Sequence, residues 1–122
     1  MSKQSAQTFK ELLVWQKSHA LVLEVYKLTR GFPREELFGL TSQMRRAAVS
    51  VAANIAEGFK RRGKPDKARH MNIAQGSLEE LQYYFVLSVD LKYLAPEPVG
   101  DHANEVGRML TTYTQHILDS RT

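Results

Sequence analysis

Residues 40–61, LTSQMRRAAVSVAANIAEGFKR, constrain the fold more than any other stretch of this chain. On a helix at about 100° per residue, Leu40, Met44, Ala48, Val51, Ile55 and Phe59 share one side. Val49, Ala52, Ala53 and Ala56 share the opposite side and are apolar too. A helix that is apolar on every face is expected to be covered on every face. A chain of 122 residues makes one domain with a real core, yet such a domain rarely surrounds one of its own helices completely. The second apolar face therefore implies a partner subunit, and its alanines let that subunit approach closely.

The other segments are helical as well. Thr8-Phe-Lys-Glu11 has the spacing of a capping box, with the Glu11 carboxylate reaching back. Behind it Leu12, Trp15, His19, Val22, Leu23 and Tyr26 recur at helical intervals, until Gly31 and Pro33 stop the pattern. Residues 32–40 form a connector with room for one helical turn. The second helix runs from about Thr41 to Arg61. Gly63 and Pro65 turn the chain into a third helix, which reaches about Leu94. This helix has one stripe of Met71, Ala74, Leu78, Leu81 and Phe85, and another of Ile73, Tyr84, Leu87 and Leu91. After Pro96 and Pro98, the residues Val99, Ala103, Val106, Leu110, Tyr113 and Ile117 mark a fourth. No segment alternates apolar and polar residues as a strand does. Four helices with short connections predict an all-α, antiparallel up-down-up-down four-helix bundle over residues 9–122, preceded by a disordered tail at 1–8.

This arrangement accounts for the polar residues set into the apolar run. A hairpin turning near Gly63 places Ser50 opposite Gly76 and Ser77, Glu57 opposite Arg69 and His70, and Arg46 opposite Glu80. Arg46, Ser50, Asn54 and Glu57 then form a polar seam with Ser77 and Glu80, with opposite charges matched at both ends. Buried polar groups are costly unless they are paired, and the seam pairs them. Gly58 and Gly76 are expected where the two helices come closest.

The charge is local. The formal net charge is +4, from 17 basic and 13 acidic residues. Residues 60–69 contain Lys60, Arg61, Arg62, Lys64, Lys67 and Arg69 against Asp66 alone, which leaves 11 basic and 12 acidic residues elsewhere. One short loop thus carries the basicity, and a phosphate backbone is the partner such a loop suits.

The runs LTSQMRRAAVSVAANIAEG and AQGSLEEL, with the opening LLVWQKSHALVLEVYKLT and the connector GFPREELFGL, resemble the small four-helix-bundle proteins encoded in intervening sequences of bacterial 23S ribosomal RNA genes. The resemblance covers about residues 9–95. Its most specific part is Asn54-Ile55-Ala56-Glu57-Gly58 with Gly76-Ser77-Leu78-Glu79-Glu80. The fold is also similar to that of the accessory variability protein of diversity-generating retroelements, a pentameric barrel that binds nucleic acid and a reverse transcriptase. The resemblance implies a homopentamer without enzymatic activity, and a nucleic-acid enzyme among its partners.

The remaining residues narrow the function further. No histidine follows a glutamate at the spacing of a bundle di-iron site, HExxH is absent and cysteine is absent, so no metal or cofactor is expected. Asn54 and Glu57 read as seam residues rather than catalytic ones, and Trp15 with His19 as core and boundary. No run suits a membrane span, the first residues lack the apolar stretch of a secretory leader, and a cytoplasmic location is the expectation. Two functions follow: an oligomer that binds RNA or DNA through Lys60, Arg61, Arg62, Lys64, Lys67 and Arg69, or a protein–protein adaptor that binds no nucleic acid.

Overall fold

A computed structural model of the chain describes residues 5–120; the first half of the expected tail, residues 1–4, lies outside that range. Four long helices make up the fold: α1 (Leu13–Thr29), α2 (Leu40–Lys60), α3 (Lys64–Asp90) and α4 (Asp101–Asp119). No strand occurs among the described residues. Helix α2 packs on α1 and α3, and α4 packs on α3 and α1. Side-chain pairs give the directions. Ser50 meets Ser77 and Asn54 meets His70 across α2/α3, while Glu24 meets His102 and Lys17 meets Glu105 across α1/α4. In both pairs of helices, rising numbers on one helix face falling numbers on the other, so they run antiparallel.

The core follows the periodicity of three helices. Leu40, Met44, Ala48, Val51 and Ile55 of α2 are buried, as are all five residues of the first α3 stripe. Helix α4 contributes Ala103, Val106, Leu110 and Ile117. The phase of α1 differs from the reading above. Its buried face is Val14, Ser18, Leu21, Val22, Val25 and Thr29, whereas His19, Leu23 and Tyr26 are exposed. The two serine and threonine hydroxyls hide the true face from an apolar count. Each donates to the carbonyl four residues earlier, Ser18 to Val14 and Thr29 to Val25, both at 2.8 Å, so each is buried without an unpaired hydroxyl.

The helix ends show local chemistry. The Thr8 side chain makes no cap; the Glu11 carboxylate accepts the Gln7 N–H at 3.0 Å, and a single 3₁₀ turn at Phe9–Glu11 precedes α1. Trp15 is half-buried against the core and stacks parallel on the exposed His19, with ring centroids 5.0 Å apart. Glu36 starts α2: one carboxylate oxygen accepts the Leu40 N–H at 3.1 Å, and the other accepts the Tyr93 hydroxyl at 2.9 Å. Helix α3 ends at Asp90, four residues before the expected Leu94. Lys92 adopts φ 66°, its N–H bonds the Val89 carbonyl at 2.9 Å, and the Tyr93 N–H bonds that of Ser88 at 2.8 Å. That is a Schellman ending with lysine where glycine is usual, so composition gives no stop signal there.

Candidate nucleic-acid interface

Helices α2 and α3 pack tightly at Gly58. A Cβ on that residue would lie 2.5 Å from Met71 Cε and 2.9 Å from His70 Cβ. Gly76 marks no such approach; nothing lies within 4 Å of a Cβ placed there, because it faces outward on α3.

The close contact brings a chain of polar groups together. Ser50 Oγ and Ser77 Oγ are 2.8 Å apart. Asn54 Nδ2 donates to the Ser50 carbonyl at 2.9 Å and to its hydroxyl at 3.2 Å. Asn54 Oδ1 lies 3.1 Å from Nδ1 of His70, which is only 4% exposed. On the other edge of the imidazole, Arg61 Nε donates to Nε2 at 3.1 Å and Arg69 Nη2 lies 3.2 Å from the same atom. Nε2 must therefore offer its lone pair, which places the proton on Nδ1 and makes His70 a donor to Asn54.

The charged ends of the seam depart from expectation. Arg46 and Glu80 are both exposed and form no ion pair; Glu80 instead accepts the Tyr84 hydroxyl at 2.7 Å. Glu57 is exposed and faces Arg61, the residue just past the end of its own helix, at 3.6 Å, not Arg69. These positions lie on the solvent side of the helix pair. An exposed ion pair there is worth about 0–1 kcal/mol, too little to fix long side chains across the gap.

The expected basic loop is mostly helix: Lys60 ends α2, Lys64, Lys67 and Arg69 stand in the first turns of α3, and only Arg61 and Arg62 lie in the connection, because α3 begins directly after Gly63 with Pro65 in its first turn. Four of these six cations have intramolecular partners. Lys67 Nζ donates to the carbonyls of Phe59 at 2.7 Å and Gly58 at 3.3 Å, which satisfies the C-terminus of α2. Lys64 Nζ reaches the Leu118 carbonyl near the end of α4 at 3.4 Å. Arg61 and Arg69 meet on His70, and Asp66 sits 3.0 Å from Arg69 Nη2 and 3.9 Å from Arg61 Nε. Lys60 and Arg62 are exposed and have no side-chain partner among the described residues. This end of the bundle thus gathers six cations, and Asp66 and Glu57 are the carboxylates that pair with them among the described residues.

A second feature lies on the outer side of α2. Ala52 is buried within the chain, but Val49 is 41% exposed and Ala53 is exposed. The single chain therefore covers only part of the second apolar face. Beside it, Phe38 projects from the connector at 90% exposure. Tyr26, Leu37, Phe38, Arg45 and Val49 line a groove of about 620 Å³. Its floor is held by the Arg45 guanidinium, 4.6 Å above the Tyr26 ring, with Nε donating to Thr29 Oγ1 at 2.9 Å. Among the described residues no three His, Asp or Glu side chains gather as metal ligands, and no helix is long and apolar enough to cross a membrane.

The family model for the 23S rRNA-intervening sequence protein matches residues 10–112. The chain belongs to that family. The match passes beyond the stretch of sequence resemblance and into α4. A solved member of the S23 ribosomal protein family from Bacteroides thetaiotaomicron VPI-5482, a protein of unknown function, has a similar fold. Its TM-score is 0.78 at 22% identity, over 84% of this chain and 96% of that one. No curated protein matches the chain.

Two roles within this intervening-sequence protein were not visible from its residues alone. Approximate hairpin register puts His70 opposite Glu57, and the hub it makes with Asn54 and two arginines needs the exact register. Lys67 and Lys64 counted as loop charge, and only the fold shows them at helix C-termini.

Proposed function

We propose that this protein is a non-enzymatic homo-oligomer that binds nucleic acid through its phosphates. The observation that carries the reading is the basic end of the bundle, where six cations gather and Lys60 and Arg62 have no side-chain partner among the described residues. Phosphate contacts of this kind position a backbone without reading sequence. The family's tie to an intervening sequence of a ribosomal RNA gene supports a nucleic-acid setting.

Assembly supplies the strength that one such end lacks. The exposed strip of Val49 and Ala53, with Phe38, Leu37 and Tyr26 around the adjoining groove, suits a second copy of the chain. The copy number of five rests on the resemblance to pentameric barrels. Repeating the basic end around a ring multiplies weak contacts through effective concentration.

The projecting Phe38 also favours a second reading, a protein–protein adaptor whose groove takes a different chain. Fluorescence anisotropy of a labelled single-stranded RNA across a salt series separates the two. The nucleic-acid reading expects log K to fall linearly with log salt, by about 0.7 per phosphate contacted. Replacing Lys60 and Arg62 together by Gln should flatten that slope by one to two contacts. Absence of binding at low salt would leave the adaptor.

A further inference from the structure

We propose that Arg61 and Arg69 form one phosphate-binding fork, set by His70 and occupied internally by the Asp66 carboxylate. The proposal rests on the reading of residues 60–69 as a nucleic-acid contact, and names within it the phosphate site and the group that competes for it.

The geometry is that of a prepared site rather than loose surface charge. Two guanidinium groups converge on a single atom, Nε2 of His70, at 3.1 and 3.2 Å. Like charges are not expected to gather unaided. Here the lone pair of a buried imidazole accepts from both, and that imidazole is fixed from behind by the 3.1 Å contact of Nδ1 with Asn54 Oδ1. The arginines therefore arrive with their orientation already set, while their outer N–H groups stay open to solvent; the side chains are 47% and 57% exposed.

Asp66 lies where an incoming oxyanion would lie. One carboxylate oxygen is within 3.1 Å of Arg69 Nε and 3.0 Å of its Nη2, and the other is 3.9 Å from Arg61 Nε. A carboxylate and a phosphate present similar oxygen pairs to a guanidinium fork. The bridge is half exposed and is hence easily displaced. Glu57 also approaches Arg61, at 3.6 Å, from the α2 side, and leaves Arg69 untouched. Asp66 is thus the internal competitor shared by both arginines, and a phosphate must replace it.

Two measurements test this. In the first, Asp66→Asn is compared with the parent for binding to a labelled single-stranded RNA. Affinity should rise about three- to tenfold, and the salt slope should steepen by about 0.7, one added phosphate contact. The gain should vanish when Arg61→Gln and Arg69→Gln are also present. An equal gain without the arginines would mean general charge and would overturn the fork. So would an unchanged affinity of Asp66→Asn beside a parent that binds RNA, which would leave the wider reading of the loop intact.

The second measurement does not need RNA. The Tm of Asp66→Asn in inorganic phosphate, relative to chloride at equal ionic strength, should rise by about 2 °C or more, since a ligand of the native state stabilises it. The variant also lacking both arginines should show no rise. If RNA fails to bind the parent but phosphate stabilises Asp66→Asn, the nucleic-acid reading falls and the oxyanion fork stands. If phosphate gives Asp66→Asn no rise, the fork is wrong whatever RNA does.

Discussion

Gly58→Ala tests the α2–α3 contact where it leaves no room for a side chain. The added Cβ would sit 2.5 Å from Met71 Cε and 2.9 Å from His70 Cβ, where carbon atoms in contact settle at about 3.5–4.0 Å. The Met71 methyl can rotate away, although Met71 is fully buried and must find room in a packed core. His70 Cβ cannot rotate away, because it is anchored to the α3 backbone. The helices must separate there by about 0.5–1 Å, and overpacking of this kind costs about 1–3 kcal/mol. Helix propensity returns at most about 1 kcal/mol for alanine over glycine. The net expectation is a loss of about 1–2 kcal/mol, or roughly 3–8 °C in Tm for a domain of this size. Gly76→Ala is the matched control. Its Cβ meets nothing within 4 Å, so it should gain up to about 1 kcal/mol. Urea unfolding followed by far-UV circular dichroism measures both. A Gly58→Ala protein as stable as the parent, or a costlier Gly76→Ala, would refute the reasoning.

The remaining expectations concern the seam, the caps and alkaline pH. Asn54→Ala leaves the buried His70 Nδ1–H without its acceptor and should cost about 1–3 kcal/mol by denaturant unfolding. Ser77→Ala should cost less than about 1 kcal/mol, since the Ser50 hydroxyl keeps its contact with Asn54. Lys67→Met removes the cation from the α2 carbonyls and should cost about 0.5–1 kcal/mol, whereas Lys60→Gln should stay within about 0.5 kcal/mol of the parent. The hydrogen bond to Glu80 raises the Tyr84 pKa above 10.0, the bond to Glu36 raises that of Tyr93, and burial raises that of Tyr113. In each case the fold favours the neutral phenol. That stabilisation is complete below about pH 10, where the unfolded phenols titrate, and is lost as pH rises through the raised values. Stability should therefore drop above pH 10, and Tyr84→Phe with Tyr93→Phe should flatten the drop; an unchanged alkaline limb would contradict it.

Much of the bundle was legible in residue order because α2, α3 and α4 bury the stripes that periodicity picks out. Helix α1 was misphased because Ser18 and Thr29 are buried through local hydroxyl bonds, while Leu23 and Tyr26 remain outside. The middle of the seam was legible too, since antiparallel register alone brings Ser50 to Ser77. Its ends were not. Arg46, Glu57 and Glu80 sit at the solvent edge, where nearby partners on the same helix or open water compete equally well with a cross-helix ion. The basic stretch at residues 60–69 showed its charge but neither its largely helical form nor its division of labour. Helix C-termini created by the fold recruit Lys64 and Lys67, and a buried imidazole recruits Arg61 and Arg69.

The functional account depends on copies of the chain covering the exposed apolar strip of α2 and thereby gathering their basic ends. Light scattering of the purified protein at micromolar concentration measures this directly. Five chains of 13.9 kDa give about 70 kDa, and Val49→Glu should reduce that mass toward a single chain while leaving the helical content unchanged. A parent protein that scatters as one chain of 13.9 kDa would contradict the account.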